Sequence, residues 1–321
     1  MASLNNQKQR VLITGGAGFI GANLIRKLLA EGSFEIVVIE KEGVNLWRLE
    51  EVKDKIQIIY VDLEDAEAVK GAIAKTEPDV VFHLASYGVH ASFETDVRKM
   101  LKANVEGTLN LAEALQNHTL SHFVYTSTSL EYKEKDGKLV ETDTQEPVSF
   151  YGATKLASEM LLSQFAKEHN LPVVNVRLFT AYGYYEDKAK LMPSIILNAL
   201  QDKPIELSSP GNVRDFIFIE DAIEAFLNIV QSDKQYKGEM FNIGSGQQHS
   251  IAEVVEAVEK ALGKQLQVQY GKENYYKEPK AFIADITKAK HTFNWEPQHN
   301  FAAGIVKSVA WYQANQYLYS V

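Results

Sequence analysis

The sequence predicts an α/β fold, a doubly wound parallel sheet, and three observations carry that prediction. Apolar runs rich in Val and Ile alternate with stretches of helical periodicity through the first half of the chain. Those runs are nearly continuous rather than alternating with polar residues, the mark of strands buried on both faces under helices. Four glycines, Gly15, Gly16, Gly18 and Gly21, sit between the first such run and the first helical stretch. Glycine weakens regular structure, so a cluster at that junction implies a need for bare backbone.

The elements follow one another in βα order. "RVLIT" reads as the first strand and "FIGANLIRKLLAEG" as an amphipathic helix closed by Gly32. "FEIVVIE" and "IQIIYVDL" are the second and third strands, and "EDAEAVKGAIAKT" is the next helix. "PDVVFHLAS" is the fourth strand, "VRKMLKANVEGTLNLAEALQNH" a long helix, and "HFVYTSTS" the fifth strand. "YGATKLASEMLLSQFAKEHN" is helical again and leads into "PVVNVRLFT". This is the repeated βαβ pattern of a Rossmann-type sheet. Past Tyr182 the pattern loosens, with returns to the sheet expected at "DFIFI" and "MFNIG". The organisation expected is a dinucleotide-binding domain over 1–182, with chain returns near 214–246, and a smaller, mainly substrate-binding lobe over 183–321.

Composition narrows the function. The chain of 321 residues carries a net charge of −9, which argues against a nucleic-acid binder working through a basic face. Without cysteine there is no disulfide, thiol catalysis or thiolate metal site. His118 and His122 straddle a helix end and a strand start, a poor metal pair, so no metal is expected. The opening "MASLNNQKQR" has no apolar core of a secretory signal, and no run approaches the length of a membrane span. A cytoplasmic protein with no membrane contact is the expectation.

The glycines fit G-x-G-x-x-G and equally G-x-x-G-x-x-G, in the right setting of strand, turn and helix. Such a turn lets the backbone approach a pyrophosphate, and the helix N-terminus aims its N–H groups at the phosphates. The second strand ends at Glu40, 40 − 21 = 19 residues past the last glycine, where an acidic side chain takes ribose hydroxyls. A carboxylate there repels a 2′-phosphate and favours NAD over NADP, although Lys41 is next in sequence.

Tyr151 and Lys155 form Y-x-x-x-K, which on a helix puts both side chains on one face. An ammonium beside a phenol favours the phenolate, giving a base that takes a hydroxyl proton and an acid that returns it. The preceding strand ends in Ser127, Thr128 and Ser129, any of which offers a hydroxyl to the same substrate oxygen.

With these residues in place, the chain resembles the extended short-chain dehydrogenase/reductases, within the nucleotide-sugar epimerase/dehydratase group, over nearly its whole length. "TGGAGFIG" resembles that family's nucleotide turn, implying cofactor contacts from Gly15, Gly18, Phe19, Ile20 and Gly21. Asp62 and Leu63 resemble its adenine-contacting pair, and "FHLAS" the cofactor-lining segment, with Leu84, Ala85 and Ser86. "NVEGT" resembles the Asn-containing helix and implies a cofactor role for Asn104. "YTSTSLEY" resembles S-S-[ST]-x-x-x-Y; setting Tyr132 on its tyrosine makes Thr128 the catalytic hydroxyl. "VRLFTAYG" and "VRDFIFIEDAIEAF" resemble R-x-x-N-x-Y-G and R-D-F-x-x-V-x-D. The resemblance implies that Tyr151, Lys155 and Thr128 carry redox chemistry at a sugar C4. Ser127 would join the cofactor site, Ser129 and Thr180 would meet the sugar, and Arg214 the substrate diphosphate.

The departures matter as well. Ser129-Leu130 stands where the family's dehydratases have Asp-Glu, which argues against a 4,6-dehydratase. Near Tyr275 the usual second diphosphate arginine is missing, leaving Lys277 and Lys280 as replacements. His90 lies in a loop that would line the sugar pocket. The family pairs helices such as 95–116 and 151–169 into a dimer interface, so a homodimer is expected. The reading is an NAD-dependent epimerase acting on a nucleotide sugar at C4. Its rivals are an NAD(P)H-dependent 4-keto-6-deoxysugar reductase and a non-catalytic dinucleotide sensor. A sensor has no use for the Tyr–Lys pair.

Overall fold

The computed structural model of the chain describes residues 8–89, 94–271 and 282–319. His90, Tyr275, Lys277 and Lys280 lie outside them. Seven parallel strands form the central sheet: β1 (Gln9–Thr14), β2 (Phe34–Glu40), β3 (Gln57–Tyr60), β4 (Val80–His83), β5 (His122–Thr128), β6 (Val173–Leu178) and β7 (Glu239–Ile243). Their order across the sheet is β7-β6-β5-β4-β1-β2-β3. The first connections run outward from β1 to β2 and β3, and the chain then returns to β4 on the other side of β1. That reversal leaves a crevice at the carboxyl ends of β1 and β4, where ligands bind in open α/β sheets.

Strand alternation decides which helix covers which face. Val11 and Ile13 of β1 pack with Val38, Phe82 and Val176 against α1 (Phe19–Glu31) and α6 (Ile219–Val230). Leu12 points the other way, into a core with Val81, Phe123 and Tyr125 under α2 (Ala66–Thr76), α4 (Gly107–Leu115) and α5 (Phe150–His169). Gly32 closes α1 in the left-handed conformation at φ 73°, as its place in the sequence predicts.

Two features differ from the sequence reading. The long helix after β4 is interrupted: α3 (Val97–Met100) passes through a π-turn at Leu101–Glu106 before α4 begins. "MFNIG" does return to the sheet as β7, but "DFIFI" does not. Phe216–Phe218 instead pairs in parallel with Thr180–Tyr182 in a separate two-stranded sheet. An apolar run specifies a strand without specifying its partner. Short pairs also join Val213–Arg214 to His249–Ser250, antiparallel, and Lys138–Leu139 to Ile283–Ala284, parallel. They bring the later chain segments over the carboxyl ends of the main strands.

Candidate active site

A cleft of about 1200 Å³ runs along that crevice. One end is the glycine turn. Gly15 is left-handed at φ +74°, and a Cβ there would lie 2.6 Å from the Ala85 nitrogen. A Cβ on Gly21 would lie 2.5 Å from the Gly15 carbonyl oxygen. Both positions are closed to any side chain by backbone atoms, not by movable groups. The helix behind them, α1, has Gly18 as its N-cap, no side-chain cap and no acidic residue in its first turn. Its leading N–H groups are therefore arranged for an external anion.

Glu40 is 7 % exposed and its Oε1 accepts the Ala17 N–H at 2.6 Å. Burial raises its pKa above the usual carboxylate range, while the Ala17 N–H pulls it down. Lys41 is turned onto Asp62, Nζ to Oδ2 2.5 Å. Gly15, Gly18, Phe19, Ile20, Gly21, Glu40, Lys41, Asp62, Leu63, Leu84, Ala85 and Ser86 all line this end of the cleft. Asn104 does not. It is buried behind the wall, where Oδ1 accepts the Tyr87 N–H at 2.7 Å and Nδ2 donates to the Tyr87 carbonyl at 2.8 Å and to Thr154 Oγ1 at 2.9 Å. Asn104 is thus the clamp of the wall's loop. His83 is likewise internal: its ring nitrogens bond Thr14 and Thr108, and burial lowers its pKa to about 3, so the ring is neutral.

The other end collects Ser127, Thr128, Ser129, Leu130, Tyr151, Thr180 and Arg214. Helix α5 starts with Ser149 capping the Gly152 N–H at 3.1 Å, so Tyr151 stands in the first turn at the cleft wall. Gly152 is required by the turn after β5: a Cβ there would meet the Leu130 carbonyl oxygen at 2.5 Å. Lys155 lies one turn deeper, 2 % exposed, with Nζ 4.2 Å from the centre of the Tyr125 ring. It supports the wall from behind and does not line the cleft. Asp215, next to Arg214 in sequence, is buried, and its carboxylate accepts from Ser245 (N and Oγ), Gly246 and Ala284.

The electrostatics correct one expectation. Burial pushes the Tyr151 phenol up to about 12; the Ser86 hydroxyl pulls it down, and the Glu131 and Glu94 carboxylates push it further up. Burial lowers Lys155 to about 7, with Glu131 and Glu159 working against the fall. In the protein alone, desolvation of both groups outweighs the attraction that the Y-x-x-x-K spacing implies.

Sequence reading missed two groupings. Arg177 of β6, completely buried, holds Glu159 of α5 with Nε to Oε2 at 2.9 Å and Nη2 to Oε1, and lies 3.3 Å from Glu131. The signal was present: an arginine in the mostly apolar strand "VVNVRLF" needs a buried carboxylate. The second is the segment after Tyr182. Its four consecutive carbonyls, Gly183 to Glu186, accept from Tyr312, Asn23, Arg48 and Tyr319 at 2.6–3.0 Å. Tyr185 is held there at φ 64°, a conformation that persists in a non-glycine residue only when its surroundings overdetermine it.

Residues 11–244 match the model of the NAD dependent epimerase/dehydratase family. The chain is 29 % identical over 310 residues to an uncharacterized UDP-glucose epimerase of Bacillus subtilis (strain 168), covering 94 % of this chain and 97 % of that one. It is 30 % identical over 333 residues to the dTDP-glucose 4,6-dehydratase of Xanthomonas campestris pv. campestris (strain B100), covering 95 % and 93 %. The structure superposes with TM-score 0.87 on UDP-glucuronic acid 4-epimerase from Bacillus cereus, solved with UDP-glucuronic acid and NAD. That likeness covers 96 % of this chain and all of the other, at 30 % identity.

Proposed function

Because the chain belongs to the NAD dependent epimerase/dehydratase family, and so is an enzyme of the extended short-chain dehydrogenase type, we propose that it inverts C4 of a nucleotide-linked sugar. One observation carries the proposal. Tyr151 and Thr128 line the same cleft as the glycine turn, and the residues that follow Thr128 there are Ser129 and Leu130, not a carboxylate pair. Dehydration needs an acid and a base at that place; epimerisation does not.

The residues present fit NAD. The α1 N-terminus would hold its pyrophosphate, the Glu40 carboxylate its ribose hydroxyls, and the Asp62–Leu63 segment its adenine. Bound NAD supplies the two-electron acceptor and donor. Tyr151 takes the proton of the C4 hydroxyl and later returns one. Thr128 donates a hydrogen bond to the same oxygen and holds it against the phenol. Arg214 meets the substrate diphosphate, and Ser129 and Thr180 meet the sugar. Apolar residues left on the helix surfaces, Leu101, Phe150, Met160 and Leu161, support a homodimer through α3–α5. No described helix is long and apolar enough to cross a membrane.

The test is a panel of nucleotide sugars, with products read by NMR with and without added coenzyme. The purified protein should carry NAD and epimerise one of them unaided. Stoichiometric consumption of NAD(P)H would make it a 4-keto reductase instead. Glu40→Ala should weaken NAD by about 10- to 100-fold, the loss of charge-assisted hydrogen bonds of about 1.5–3 kcal/mol. NADP should weaken less. Titration calorimetry separates the two, and equal losses would remove Glu40 from the ribose.

A further inference from the structure

The turn after β5 carries a carboxyl that none of the chemistry above uses. Glu131 is completely buried. It folds back beneath the end of its own strand, where its Oε1 accepts the Ser127 hydroxyl. Its Oε2 makes no hydrogen bond and lies 3.3 Å from Arg177 Nε. Arg177, however, is already held by both oxygens of Glu159 and donates from Nη1 to the Glu141 carbonyl at 3.0 Å. One guanidinium thus faces two buried carboxylates.

A second buried basic side chain lies on α5. The absence of a side chain at Gly152 lets the 129–131 turn press directly on the helix between Tyr151 and Lys155. Lys155 is buried there against the Tyr125 ring. Arg177 and Lys155 are the two basic side chains buried with Glu131 and Glu159.

We propose that Glu131 is a positioning residue for the Tyr151–Lys155 pair: it holds the Ser127 hydroxyl in place and is the buried carboxyl whose charge sets the proton affinity of Lys155. This rests on the reading of Tyr151 and Lys155 as the reacting pair. Burial, with Glu159 adding to it, raises the Glu131 pKa, and burial lowers that of Lys155. The negative charge of Glu131 raises the proton affinity of Lys155, against the effect of burial. The other groups facing them are Tyr125 of β5, Tyr132 beyond the turn, Tyr151 and Glu159 of α5, Arg177 of β6 and the neutral His83 of β4. None of these supplies Lys155 with a second unshared carboxylate, because Glu159 is bound to Arg177.

Glu131→Gln keeps the volume and an acceptor for Ser127 but removes the charge. Lys155 in protein carrying ¹⁵N-labelled lysine is titrated by NMR, without substrate or cofactor. The midpoint assigned to Lys155 (by its absence in Lys155→Met) should fall by about one pH unit, a tenfold change in proton affinity. The alkaline limb of the kcat–pH profile should move down by the same amount. An unchanged Lys155 midpoint overturns the proposal, whether or not the variant has lost thermal stability. If the midpoint moves but no nucleotide sugar is turned over by the wild-type chain, the role of Glu131 stands and the epimerase reading falls.

Discussion

Tyr151→Phe is expected to lower kcat by roughly 10²–10⁴-fold, the contribution of a positioned general acid–base group. Affinity for NAD should stay nearly unchanged. The ring is half-buried in the first turn of α5, and the change removes only the hydroxyl. That hydroxyl lines the same end of the cleft as Thr128, and the Glu131 and Glu94 carboxylates raise its pKa rather than lower it. The free protein therefore holds the proton on Tyr151, and the positive charge of a bound oxidised nicotinamide would favour its release. Cofactor retained on purification, with kcat measured on the substrate found in the panel, checks the prediction. Activity within tenfold of wild type, or loss of cofactor, would remove Tyr151 from proton transfer.

Arg177→Met is expected to cost about 3–5 kcal/mol of stability, the effect of breaking a buried ion pair by removing one partner. The methionine fills most of the volume but leaves Glu131 and Glu159 without the guanidinium between them. The cost has a pH signature. Carboxyls left without a cation in the interior have folded pKa values above their unfolded ones. Such groups contribute stability that is present at acid pH and lost as pH rises through the folded pKa. The gap between variant and wild type should then be small near pH 5 and widen toward pH 8. Urea unfolding at several pH values reads both the size and the slope. A loss of under about 1 kcal/mol at pH 8, or a gap that narrows with pH, would show that the cluster is solvated.

Much of this molecule was legible in its sequence, and the reasons are local. The Val/Ile runs reported strands buried on both faces because nothing polar interrupts them. The glycines between β1 and α1 reported a turn with no room for side chains, and Glu40 followed at the distance the second strand dictates. The remainder depended on contacts between distant segments. Asn104 lies in a π-turn, which a pattern of helical period cannot register, and its side chain is taken up by Tyr87 and Thr154. "DFIFI" carries the composition of a central strand, but β7 takes the edge of the sheet. Glu131, in the polar stretch "TSTSLEYKEK", reads as a solvated residue. Only Gly152, on a helix that begins 19 residues later, brings it inside.

The last strand of the sheet has a further consequence. β7 joins the outer side of β6 in parallel, from Glu239 opposite Val174 to Ile243 opposite Leu178, yet it is synthesised 61 residues after β6 ends (239 − 178). During translation β6 waits as a bare rim, with Val174 and Val176 and a row of unpaired amides open to any other nascent chain. A fragment stopped at residue 182 would retain the nucleotide turn and still expose that rim for good. It should precipitate where the full chain stays dispersed.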